Sequence, residues 1–545
     1  MSAYGIAVDL GTSGFRGQII DLTRNKVLKT VITARHPLPG ANVMDHLNFA
    51  IDAGPEIAHQ IIISAINQII ELLSPPPGEL ERFAVCGNPI QLSLFENIEI
   101  RDLAYAGEKY KEKLGILSPD RGAKEYRADT FPLLSLPNKC RIFIPPAVKH
   151  EIGADALAML VFSGILENKK PSLAIDYGTN AEMALKVGDK VITGSAAAGP
   201  ALEGQHIAHG MLASPGAISD LRPENGGERC FILNKELEPV EGDLIELKNG
   251  HLLASGSLKA RGITGTGVIA AVSRGLSTGL IKLPHIVADG EALHLCGGIS
   301  FNQKDLSEAG KAIGALRAGF ITLAAEAGLG VEDIEVAFMA GASGTYVDAL
   351  KAMHLGMVPP NAGDIYQVGN TSLMLARDII QNTERLTYLD NIAREISASH
   401  CMFAFSKVFE KAYLLELSYW TEGMPWAMFQ KFAAMYHLPP LPSLKTKVNI
   451  TRKVIRDISD IGEGGLITIE QVGEIRSWAI PGCATCGLCV EECPELALKL
   501  DEAQGIIVMR MDRCLGTACH RCEHVCPENV FHLSQFWQKS SKIEN

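Results

Sequence analysis

Eight of the thirteen cysteines lie between Cys483 and Cys526. The first group runs Cys483-x2-Cys486-x2-Cys489-x3-Cys493-Pro494, and the second runs Cys514-x4-Cys519-x2-Cys522-x3-Cys526-Pro527. Three thiolates at this spacing on a tight loop can reach three irons of one [4Fe–4S] cube. A fourth cysteine, leading through its proline into a short helix, serves a neighbouring cube. Paired C-x2-C spacings also suit structural zinc, but zinc leaves the third cysteine and the proline of each group unexplained. Two adjacent cubes imply one-electron relay rather than substrate chemistry on iron. The longer first gap makes Cys514 the least defined of the eight. His520 and His524 read as exposed turn residues. Cys86, Cys140, Cys230, Cys296 and Cys401 are scattered singly and read as reduced, half-buried small hydrophobes.

A second chemistry is written near the N-terminus. Tyr4-Gly-Ile-Ala-Val-Asp9-Leu-Gly11-Thr12-Ser13-Gly14 leads into Phe15–Asp21 as strand, glycine turn, strand, and Ser172–Asp176-Tyr-Gly178-Thr179-Asn180 repeats the design. Such a hairpin offers backbone N–H groups and hydroxyls to a phosphate, while Asp9 or Asp176 positions Mg2+ or water. Two hairpins facing each other would clamp a triphosphate. The distance between the copies is too long for a solenoid and suits a duplicated domain. No G-x-x-x-x-G-K-[ST] loop occurs. Gly265-Thr266-Gly267 matches a dinucleotide fingerprint, but the stretch before it is a poor strand. A helix N-terminus facing nucleotide phosphates is the better reading there.

These residues must be positioned by several domains, because 545 residues exceed one core. The composition, 47% hydrophobic and 21% charged, is that of an α/β protein. A net charge of −12 argues against nucleic acid. No apolar run is long enough to cross a membrane, and no leader precedes the first strand, so a cytoplasmic protein with no membrane partner is expected. The expected domains are 1–165 and 166–385 as ATPase lobes, the second with an inserted subdomain, then a helical linker region 386–475 broken by prolines, then 476–545.

The cysteine pattern resembles two-cluster bacterial ferredoxins. That resemblance implies one cluster on Cys483, Cys486, Cys489 and Cys526, and the other on Cys493, Cys514, Cys519 and Cys522. The paired D-x-G-T turns resemble the superfamily of actin, sugar kinases and heat-shock chaperone ATPases, with two ribonuclease H-like lobes. Its order is continued by a small-residue helix at 153–160 that would cross between the lobes. Gly341 and Gly344 follow, where that superfamily packs adenosine, and then Gln367–Leu373, which starts the closing helix. Pro200–Met211, Gly216–Ile218, Gly262–Gly267, Val358–Pro360 and Val368–Asn370 resemble the central segments of corrinoid-protein reductive activators. Two cubane motifs at the C-terminus match the branch found with methylamine methyltransferases in methanogens.

The resemblance implies ATP-dependent reduction of a corrinoid methyl-carrier protein from Co(II) to Co(I), fed by a low-potential electron donor. The implied cofactors are two [4Fe–4S] clusters, ATP and Mg2+. Asp9, Gly11, Thr12, Ser13, Asp176, Gly178, Thr179 and Asn180 would hold phosphates and Mg2+, with Gly265, Thr266 and Gly267 at a helix start beside them. Rival readings are an activator of a radical dehydratase or aryl-CoA reductase, a non-catalytic redox adaptor, and a small-molecule kinase fused to a ferredoxin.

Overall fold

The computed structural model describes residues 3–105, 107–147, 152–178, 180–204, 206–397 and 399–537. The chain divides into two compact units, Met1–Ile144 with Ile467–Asn545, and Pro145–Leu466.

In the first unit, β1 (Tyr4–Leu10), β2 (Phe15–Asp21) and β3 (Lys26–Thr33) form an antiparallel meander. β4 (Leu80–Gly87) runs parallel to β1 on its other side, followed by β6 (Arg141–Ile144) and the edge strand β5 (Lys124–Arg127). The helix Pro55–Leu73 begins with proline at its first turn and ends at Ser74 in the left-handed conformation. Its isoleucines at 61, 62, 63, 66, 69 and 70 are buried, which gives the apolar stripe a sheet-covering helix needs. Gly17 lets that helix approach, since a Cβ there would overlap Ile69. Where the chain returns to this unit, the strand Leu466–Ile469 adds beside β3.

The second unit repeats the topology. β7 (Ser172–Asp176), β8 (Asn180–Val187) and β9 (Lys190–Ala197) form the meander. Val336–Ala340 runs parallel to β7, and Asp364–Gly369 and Asn449–Arg452 follow in parallel. Asp9 and Asp176 therefore occupy equivalent places, each at or next to the end of the first strand where a parallel neighbour leaves the sheet. Inserted between the meander and Val336 is a five-stranded sheet built on Ala217–Glu224, Gly227–Leu233 and Pro239–Ile245. The helix Ala154–Ser163 packs within this unit against Thr371–Gln381.

Residues 386–466 hold helices that join this core, and also the strand Asn449–Arg452. Lys407–Glu422 lies against Gln303–Glu326 unusually closely, because Gly310 and Gly314, one turn apart, face Trp420 and Glu416 where any Cβ would collide. The close approach brings Arg317 and Glu416 into a buried, two-pronged ion pair with both N···O distances 2.6 Å.

Candidate functional site

The cysteine module is a three-stranded antiparallel sheet, ordered Ile475–Ala479, Ile506–Arg510, Leu498–Asp501, carrying two similar loops. Each loop turns through a left-handed residue directly after its second cysteine, Gly487 in one and His520 in the other, into the short helices Leu488–Glu491 and Arg521–His524. Each closes through a left-handed residue three positions past its Cys-Pro cysteine, Leu496 and Asn529.

Two pockets result. One, of about 390 Å³, is lined by Cys483, Cys486, Cys489 and Cys526 over Leu500 and Ile507. The other, of about 360 Å³, is lined by Cys493, Cys514, Cys519 and Cys522 over Leu498 and Met509. The sheet face thus floors both, and each pocket takes three cysteines from one loop and one from the other. Backbone N–H groups point at the sulfurs: Ala497 donates to Cys493 and Gly516 to Cys514, both at 3.3 Å. Burial pushes the Cys489 and Cys514 thiols up to about 11 and about 12. Burial also raises Cys526, but the N–H groups of residues 528–531 together outweigh it and hold that thiol below its ordinary value.

This donor set fits an iron–sulfur cube in each pocket. Among the described residues no three His, Cys, Asp or Glu side chains converge on a single-ion position. His524 is exposed, and the half-buried His520 pairs with Glu523 at 2.7 Å. Cys86, Cys140, Cys230 and Cys296 are buried, and Cys401 is half-buried.

The module is fastened to the first unit's sheet through Arg35-His36-Pro37-Leu38-Pro39-Gly40. The Gly40 N–H donates to the Cys514 carbonyl at 2.9 Å, and Pro39 packs on Gly516. Arg35 pairs with Glu495 at 3.2 Å, and Trp537 meets Phe49 edge-on at 5.0 Å. Sequence reasoning passed over this segment. Its signal was a proline pair bracketing a strand-to-helix turn, where backbone freedom is removed at both ends.

In the β1–β2 turn, Gly11 allows the hairpin to close, since a Cβ would lie 2.8 Å from the Gly14 carbonyl. Asp9 is buried and pairs with Arg16 at 3.7 Å. The Asn88 amide, at the N-cap of Pro89–Glu96, donates to the Thr12 hydroxyl at 3.2 Å. Ser13 is buried, and Phe15 N–H donates to Thr33 at 2.8 Å.

In the second unit, Gly341 has φ +79° and sits against the Asp176 carboxylate, so that a Cβ there would overlap Oδ1. Gly344 lies under the Tyr177 ring, whose hydroxyl donates to the Met357 carbonyl at 2.9 Å. The Gln367 amide holds the turn by donating to the carbonyls of Gly344, Thr345 and Val347 at 2.7, 3.1 and 2.9 Å. Ser343 donates to the Leu202 carbonyl at 2.7 Å, and Leu202 in turn presses on Gly265. Gly267 packs on Ile218, and the Thr266 hydroxyl donates to the Ser219 carbonyl at 3.0 Å. The structure thus brings Asp176, Gly341, Gly344 and the 265–267 helix start into one neighbourhood. Gly178 and Asn180 follow Asp176 in the hairpin, and Thr179 lies outside the described residues. Of the histidines in the 200–211 segment, His206 and His209 are both exposed. Asn88 and Ser343 were not singled out from sequence, because each acts through a partner distant along the chain.

Family models match in three blocks: the RACo middle region over residues 4–168, the C-terminal ASKHA domain of RACo over 170–430, and a 4Fe–4S dicluster domain over 482–530. The "[Co(II) methylated amine-specific corrinoid protein] reductase" of Methanosarcina barkeri is 50% identical over 517 residues, covering 94% of this chain and 96% of its own. The chain belongs to the corrinoid-protein reductive activators. A second relative of this activator, the "Corrinoid activation enzyme RamQ" of Eubacterium limosum, is 27% identical over 427 residues, 76% of this chain and 70% of its own. The solved "Reductive activator for corrinoid,iron-sulfur protein" superposes with a TM-score of 0.62 at 24% identity, covering 76% of the activator and 66% of that chain, just under two thirds. That likeness shows the fold. The activator is an α/β protein of the actin and sugar-kinase class with a C-terminal 4Fe–4S ferredoxin-type domain. No helix among its described residues is long and apolar enough to cross a membrane.

Proposed function

We propose that the protein uses ATP to drive the one-electron reduction of a corrinoid methyl-carrier protein from Co(II) to Co(I), in methylamine-dependent methyl transfer. The observation that carries this is 50% identity, over nearly the full length, to a protein named for reducing a Co(II) corrinoid protein. The supporting chemistry is local. Cys483, Cys486, Cys489 and Cys526 would hold one [4Fe–4S] cluster, and Cys493, Cys514, Cys519 and Cys522 the other. When bound, such clusters supply one-electron transfer at low potential.

The chain's own residues do the rest. Thiols raised by burial must release protons as iron binds, so assembly of the pockets favours higher pH. Backbone N–H groups at Cys493, Cys514 and Cys526 offset the negative charge of the thiolates. Asp9 and Asp176 would orient Mg2+ or water at their respective turns, Thr12 and Ser13 would meet phosphate oxygens, and Gly341 and Gly344 would admit adenosine. The partner receiving the electron is a corrinoid protein, and a low-potential donor supplies it.

The test is anaerobic mixing of the iron-loaded protein with reductant and a Co(II) methyl-carrier, following the Co(I) absorbance. Co(I) should form with ATP, and neither without ATP nor with the Asp176→Asn variant. Equal Co(I) formation with and without ATP would remove the nucleotide from the mechanism.

A further inference from the structure

Two histidines are buried in the first unit in an arrangement that neither the cysteine pockets nor the phosphate turn requires by itself. His36 follows β3, and His46 lies in the helix Val43–Ala53. Their rings stack with centroids 3.8 Å apart and planes 16° from parallel. Gln91, fully buried, lies between them in hydrogen-bond terms. Its Oε1 is 3.1 Å from His36 Nε2, and its Nε2 is 2.9 Å from His46 Nδ1.

The proton pattern follows from the partners. Leu38 N–H donates to His36 Nδ1 at 3.1 Å, so the His36 proton sits on Nε2 and is given to Gln91 Oε1. The Gln91 amide must then donate to His46 Nδ1, which puts the His46 proton on Nε2. Both rings are neutral, as stacking at this distance requires, and burial drives His36 down to about 3 and His46 well below its ordinary value. The His46 Nε2–H faces the Gly40 backbone yet makes no hydrogen bond of normal geometry. A buried donor left so is destabilising.

Both ends of this network touch chemistry. At one end, Asn88 Oδ1 accepts from Gln91 N–H at 3.0 Å, while the Asn88 amide holds Thr12 in the phosphate turn. Phe15, closing the same turn, stands edge-on to His36 at 5.1 Å. At the other end, Gly40 (φ +126°) packs directly on His46, with a Cβ there 3.1 Å from its ring, and donates its N–H to the Cys514 carbonyl. A small shift of Gly40 that lets its carbonyl accept from His46 would move the N–H that holds the Cys514 loop. Coupling between two sites demands an element with two such arrangements.

We propose that His36, Gln91 and His46 are positioning residues that transmit nucleotide occupancy of the 11–14 turn to the loop carrying Cys514 and Cys519. This rests on reading that turn as a phosphate site. Hydrogen exchange of the iron-loaded protein, with and without a non-hydrolysable ATP analogue and Mg2+, tests it. The analogue should slow exchange at 9–16 and also change it at 36–42 and 512–519. In Gln91→Met, which keeps the volume but loses both hydrogen bonds, protection at 9–16 should remain and the response at 512–519 should disappear. The ATP-dependent rate of Co(I) formation should fall about tenfold, within the usual range of coupling energies, with iron content unchanged.

Protection at 9–16 without any response at 512–519 in the wild-type protein overturns the proposal, whether or not the variant folds. So does a response that survives in folded Gln91→Met, which would assign the coupling to the separate Phe15–Thr33–Arg35 hydrogen bonds. No protection at 9–16 overturns the phosphate reading itself, and the coupling with it.

Discussion

Replacing Glu416 by glutamine should destabilise the second unit severely. Glu416 is fully buried, and Arg317 beside it is 8% exposed. The guanidinium is enclosed by Trp426 at 5.1 Å and by Tyr419 and Phe429 at 5.6 Å. Glutamine keeps the shape but leaves the Arg317 charge in an aromatic cage without its counter-ion. Removing one partner of such a pair costs about 3–5 kcal/mol. Taking both charges out of water costs much of what their attraction returns. The pair is therefore not itself a large source of stability, and Arg317→Met with Glu416→Leu should cost far less than the sum of the single changes.

Urea unfolding followed by fluorescence, with Trp420 and Trp426 beside the pair, gives the cycle. A single-variant loss under about 1 kcal/mol, or an additive double variant, would refute the reasoning.

At the nucleotide turn, Gly341→Ala should destabilise the second unit by about 1–2 kcal/mol, the left-handed backbone cost, and weaken ATP binding by displacing Asp176, whose carboxylate a Cβ there would overlap; thermal unfolding and calorimetric titration against wild type measure the two. Cys489→Ser and Cys514→Ser should each lose about half the bound iron and acid-labile sulfide, and full iron in Cys514→Ser would remove that residue from the cluster set. Trp537→Ala should loosen the cysteine module by about 3–5 kcal/mol, whereas Arg35→Ala, at a part-exposed ion pair, should cost no more than about 1 kcal/mol. Proteolytic release of the module from each variant distinguishes the two.

The two cysteine loops were legible because their cysteines are close in sequence and that spacing has few physical uses, whereas the exchange of one cysteine between the loops was implied only by the resemblance to two-cluster ferredoxins. The repeat of Asp9-x-Gly11-Thr12 in Asp176-x-Gly178-Thr179 likewise announced a duplicated lobe, since a tight glycine hairpin is a local feature. What escaped was long-range. Arg35 and Glu495 meet across 460 residues, and nothing in the periodicity near either says so. Gly310 and Gly314 carry no local sign of a close helix contact, because Trp420 and Glu416, which fill the space above them, lie about a hundred residues on. The His36–Gln91–His46 network is invisible in sequence for the same reason, because each residue alone passes for a polar group near a strand end.

The measurement closest to the central claim is a single turnover. The protein is reduced, freed of excess reductant, and mixed anaerobically with a Co(II) methyl-carrier, with ATP and without. Paramagnetic resonance then follows the Co(II) signal and the reduced-cluster signal together. Loss of both, one electron for one cobalt and only with ATP, is the expected result. Persistence of the Co(II) signal with ATP and fully reduced clusters would contradict it.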